Sequence, residues 1–150
     1  MKNIIALFAV LLPLSSHALT WKVVGPCSET PLYEGTVQAD LKKTAGALTI
    51  EIFEAAKVPY YGVEEGISSI NDSPVGLDAM EVISDTEMRA YGWCYSINGQ
   101  VPLAMPHKTF IKSQDDTLVW FYGYSTNKNN QWLDMCMPGF KIKAKQFCQK

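Results

Sequence analysis

The reactive side chains of this 150-residue sequence are few, and their spacing excludes more chemistry than it suggests. His107 is the obvious base, but a serine triad built on it would need Ser and Asp residues far away in sequence, with no nucleophile-elbow signature to position them. Met105-Pro106-His107 and Met135-Cys136-Met137 supply the thioether and imidazole groups that copper(I) favours, in no recurring ligand spacing. Glu64-Glu65 and Asp115-Asp116 read as solvated charges beside turns, because no calcium-loop spacing surrounds them. The sequence therefore points to no catalytic residue and no metal ligand, and a non-enzymatic role is expected.

Two aromatic segments are the stronger candidates. Gly92-Trp93-Cys94-Tyr95-Ser96-Ile97 alternates rings with small residues and then meets Asn98-Gly99, a tight-hairpin signal. Thr117-Leu118-Val119-Trp120-Phe121-Tyr122 repeats the alternation, so neighbouring strands would gather Trp93, Tyr95, Trp120 and Tyr122 on one face. If that face is open, it suits a planar ligand or a protein partner. If it faces inward, Trp93 and Trp120 pack on a helix carrying Leu48 and Ile52.

The N-terminus sets the compartment. Lys2 precedes an apolar run from Ile4 to Leu14 and then Ser16-His17-Ala18, the pattern of a secretory signal peptide cleaved after Ala18. This places the product in the periplasm or outside the cell, soluble, with no later run of the roughly 20 apolar residues that a membrane helix needs. Removing Lys2 with the leader takes the formal charge from −2 to −3. Nine acids lie between Glu51 and Glu87 against Lys57 alone, whereas Lys141, Lys143, Lys145 and Lys150 crowd the end. Neither patch has the basic and aromatic interleaving of a nucleic-acid groove, so nucleic acid is not expected. In an oxidising compartment Cys27, Cys94, Cys136 and Cys148 make two disulfides. Three pairings are open, and those that tie Cys136 and Cys148 to the body of the protein are favoured over a Cys136–Cys148 bond.

The elements that must position these residues follow from pattern. Trp21–Val24 and Leu32–Ala39 flank a loop with Pro26 and Pro31 and read as a hairpin. Thr44 is a helix N-cap, and Ala45, Leu48, Ile52 and Ala55 recur at helical spacing as far as Val58, which Pro59 disfavours as helix. Gly66–Ile70 is a short strand, Val75–Arg89 an acidic connector, and Asn127–Asn130 a polar loop. The chain after the signal can bury one core, so a single domain with a tail is expected.

In this order Tyr33-Glu34-Gly35-Thr36-Val37, the helix ending at Ala55-Ala56-Lys57-Val58-Pro59-Tyr60, Gly66–Asn71, Gly92–Gly99 and Asp116–Tyr122 resemble a family of bacterial domains of unknown function. That family is related to the C-terminal β-domain of transcobalamin and intrinsic factor. The most specific part is Trp93, Tyr95, Asn98 and Gly99. The resemblance implies an α+β fold of β-grasp type over residues 19–125, a mixed sheet wrapped around one helix. Residues 126–150 then form a disulfide-tethered C-terminal extension. It also implies binding of a planar soluble ligand, a corrinoid or another tetrapyrrole, for which the aromatic face of Trp93, Tyr95, Trp120 and Tyr122 is the candidate site in a module that the leader marks for export. The competing expectation is an envelope protein–protein interaction module with no small-molecule ligand. The exported product is expected to begin at Leu19, and N-terminal sequencing checks this; a start at any other residue would move the leader boundary.

Overall fold

The computed structural model describes residues 17–149. Up to residue 16, the expected leader lies outside the described residues. Among the described residues, nine strands, two α-helices and three 3-10 turns follow from Leu19 onward. Strands β1 (Leu19–Val24) and β2 (Pro31–Val37) form the expected antiparallel hairpin. Helix α1 (Ala45–Ala56) starts where Thr44 Oγ1 accepts from the Ala47 N–H at 3.2 Å. It stops one turn before Pro59, at Lys57, whose left-handed conformation (φ 55°) directs its N–H back to Glu54 O and Phe53 O. Strands β3 (Tyr60–Val63) and β4 (Gly66–Ile70) form a separate two-stranded hairpin.

The segment expected as a connector contains an edge strand, β5 (Met80–Ser84), and the start of β6 (Glu87–Ile97). Asn98 and Gly99 make a two-residue turn with φ of 52° and 76°, closed by the Ile97 and Gln100 N–H groups bonding each other's carbonyls. This turn does not join paired strands. The chain leaves through a loop and a short 3-10 turn, Pro106–Lys108, and only then enters β7 (Thr117–Lys128). Two short strands, β8 (Gln131–Trp132) and β9 (Met137–Pro138), and a final turn of helix, α2 (Lys145–Cys148), complete the tail.

The main sheet has the order β2-β1-β7-β6-β5, with β1 and β7 parallel and the other neighbours antiparallel. β1 occupies one edge of β7 from Thr117 to Phe121; beyond it β9 and then β8 pair with β7. One sheet face carries the core. Leu19, Trp21, Val23, Tyr95, Leu118 and Trp120 pack there against Leu48, Ile52 and Phe53 of α1, with Val58, Ile67 and Ile70 closing the side. The molecule is thus a mixed α+β domain in which α1 and the β3–β4 hairpin cover a curled sheet. Among the described residues no helix is long and apolar enough to cross a membrane.

The tail is bonded on both sides of this sheet. Cys136 joins Cys94 of β6 with Cα atoms 5.8 Å apart, and Cys148 joins Cys27 at 5.4 Å. Both bonds therefore tie the tail to the body, the expected class of pairing. Peptide mapping of the oxidised chain is expected to find these two links. The double change Cys94→Ala/Cys136→Ala should lower stability by about 2 to 4 kcal/mol in urea unfolding, and an unchanged midpoint would remove the tail from the cooperative unit.

Candidate functional site

The long β6–β7 pairing places Trp93 opposite Tyr122 and Tyr95 opposite Trp120, so the four rings meet as expected. Ring centroids are 5.4 Å apart in the first pair and 5.5 Å in the second. Their face is the inner one. Tyr122 is 0% exposed, Trp120 3% and Tyr95 6%, while Trp93 is half-buried. Each polar tip has a partner within the chain. Trp120 Nε1 donates to Thr49 Oγ1 of α1 at 2.9 Å, and Trp93 Nε1 to Ser73 Oγ at 2.7 Å. Tyr95 OH donates to Ala104 O at 2.6 Å, and Tyr122 OH to Pro74 O at 3.2 Å. Three of the four rings assigned from sequence to a ligand thus offer neither an open surface nor a free polar group.

A second cluster continues this layer, where Phe147 from the tail packs edge-on against Tyr91 (4.8 Å) and Tyr122 (5.3 Å). Burial pushes the Tyr122 hydroxyl up from the ordinary 10.0 to about 12. Burial also raises Tyr91, reinforced by its hydrogen bond to Glu81 at 2.5 Å and opposed by Arg89.

The other reactive groups are dispersed. His107 sits half-buried in the 3-10 turn with its Nδ1 buried and without a hydrogen-bond partner. Cys136 is oxidised, so Met135-Cys136-Met137 presents no thiolate. Among the described residues no three His, Cys, Asp or Glu side chains gather as a metal site would require. Glu64 and Glu65 are exposed at the β3–β4 turn. Asp116 is not a free surface charge. Burial works against its ionised form, yet its carboxyl lies below the usual range because Asn98 Nδ2 and the Lys112 and Ser113 N–H groups donate to it at 2.8 to 3.0 Å.

The opposite sheet face is where space remains. Alternation puts Gly92, Cys94 and Ser96 of β6 there, facing Gly123, Phe121 and Val119 of β7. A groove of about 540 Å³ runs over this face. Val24, Val119 and Phe121 of the sheet, Met137, Pro138 and Phe140 of the tail, and Val101 and Pro31 line it. Lys22, Glu29 and Lys141 are its charged members. Lys22 is 3.9 Å from Glu34, whereas Lys141 and Glu29 have no ion-pair partner among the described residues. A mostly apolar cleft of this size with a few polar groups suits a small molecule. Apolar residues on both faces of Leu118–Tyr122 are the sequence signal for a second working face. Comparison with known protein families, with curated proteins and with solved structures finds no match to this chain.

Two outcomes follow for the inner face. Trp120→Ala should destabilise the fold by about 3 to 5 kcal/mol, since it removes a buried ring and one of the two hydrogen bonds of Thr49 Oγ1, the other being its donation to Ala45 O. Tyr122 has a folded value above its unfolded one, so its contribution is complete below pH 10.0 and is lost as the pH rises towards about 12. Tyrosinate absorbance followed together with circular dichroism should show Tyr122 ionising only as the chain unfolds in that window. Ionisation at the ordinary value in a folded chain would contradict its burial.

Proposed function

We propose that this chain is an exported, non-catalytic binding module that holds a planar ligand against the open-face groove. The observation that carries this reading is the groove itself, about 540 Å³ between the sheet and a disulfide-anchored tail. Preformed clefts of this volume, apolar with a few charged members, are typical small-ligand sites. The two disulfides support an oxidising compartment, in keeping with the expected leader. The strand order β2-β1-β7-β6, with β1 and β7 parallel and α1 following β2, supports a β-grasp variant and the resemblance to the transcobalamin β-domain family. On that resemblance the first ligands to try are corrinoids and other tetrapyrroles, met by the groove rather than by Trp93, Tyr95, Trp120 and Tyr122.

The second reading, an envelope interaction module, has its own observation. Val101, Leu103 and Met105 are exposed along one loop, Leu103 completely, and Tyr95 OH fixes that loop at Ala104 O.

Calorimetric titration of the oxidised chain from Leu19 with cobalamin and with haem tests the first reading. Saturable micromolar binding, about −8 kcal/mol, is expected, weakened at least about tenfold by Val101→Asp at the groove wall. Heat that survives Val101→Asp unchanged would take the ligand out of the groove. No heat with either ring would end the tetrapyrrole assignment and favour a protein held by the Val101–Met105 loop.

A further inference from the structure

Across Met135 and the Cys94–Cys136 bond from the large groove lies a smaller slot of about 310 Å³. Its floor is the place where the register sets Gly92 directly opposite Gly123. Of these two glycines only Gly92 leaves bare backbone in the floor. Gly123 has a packing reason to be glycine, because a Cβ there would sit 3.1 Å from Cys94 Sγ and 3.2 Å from Met137 O. Gly92 has none. A Cβ at Gly92 would meet nothing within 4 Å, and its φ is not positive. Glycine in a strand interior weakens the strand and often marks close approach by something else. Among the described residues, none fills the space above Gly92.

What borders the open floor narrows the ligand. Trp132 (55% exposed) and Met135 (76% exposed) line the slot together with Cys94 and Ser125. Trp132 is fixed through β8 pairing with Asn127 and through the Leu133 N–H bond to Thr126 O at 2.9 Å. Met135 is fixed because Cys136, next in the chain, is bonded to Cys94. Among the described residues, no Lys, Arg, Asp, Glu or His lines the slot. Peptide planes, an indole and a thioether are the surfaces on which an uncharged ring stacks.

We propose that the slot over Gly92 is a binding site for a neutral, flat aromatic compound of one or two fused rings. The ring lies on the Gly92 backbone, beside the Cys94–Cys136 bond, and is flanked by Trp132 and Met135. The site does not depend on the large groove binding anything.

Backbone-amide NMR of the oxidised chain, titrated with indole and in parallel with the non-planar cyclohexanol, tests this directly. Indole is expected to shift the Gly92, Gly123 and Ser125 amide signals saturably, with cyclohexanol moving them far less. Gly92→Leu fills open space, so it should keep the remaining spectrum and the thermal midpoint while weakening indole binding at least about tenfold. Trp132→Ala, on an exposed side chain, should also weaken it. Val101→Asp, at the large groove, should leave it unchanged. The absence of a saturable shift in the unaltered chain, an equal response to cyclohexanol, or full binding in Gly92→Leu would each overturn the proposal.

Discussion

The register of β6 against β7 is the constraint on which the rest of the molecule depends. Eleven residue pairs run from Ile97–Leu118 to Glu87–Lys128 without a shift. Because side chains alternate, that register decides at once which residues face α1 and which face water. A slip of one residue would carry Trp93 and Tyr95 outward, turn Cys94 into the core, and break its geometry with Cys136. The register is set at its start. Asn98 accepts from the Thr117 N–H at 2.9 Å, donates its own N–H to Thr117 O at 2.9 Å, and is held in turn by Asp116. A turn residue, a carboxylate and the first residue of β7 therefore act as one clamp on the two longest strands.

The tail extends that logic to both faces. It is bonded to Cys94 on the open face, runs along the β7 edge as β9, and places Phe147 on the inner aromatic layer before Cys148 meets Cys27. Gly139 allows the turn at that edge, since a Cβ there would sit 2.7 Å from Tyr122 O. One short segment thus covers an edge of β7, caps the core and supplies a wall of the groove. Its sequence mixes apolar residues with lysines in no regular period, because the bonds and the edge pairing, rather than an amphipathic element, hold it in place.

How much of this was legible in the sequence varies with the range of the interaction. Local signals were readable: the β1–β2 hairpin, the Thr44 cap, the helical spacing of Leu48 and Ile52, and the alternation in both aromatic strands. Signals that depend on distant partners were not. Asn98-Gly99 forms the turn its composition suggests, but the strand that pairs with β6 begins only at Thr117. β5 was hidden because an edge strand exposes Val82 and part of Ile83 and interrupts its apolar run with Glu81. The orientation of the rings was settled by Thr49, Ser73, Pro74 and Ala104, four partners that no spacing rule connects to Trp or Tyr. The open-face groove draws on residues from Lys22 to Lys141, so its walls meet only once the tail is bonded.

The pairing of chain ends has a consequence for biogenesis. β1 is completed by β7 as a parallel neighbour, and Cys27 waits for a thiol 121 residues later. Contacts of such separation close large loops before they return any stabilisation, which slows folding. The first strand cannot reach its final setting while the rest of the chain is still emerging. The native architecture therefore forms only once β7 and Cys148 are both present, and the Cys27–Cys148 bond is a late event that follows the synthesis of nearly every other contact.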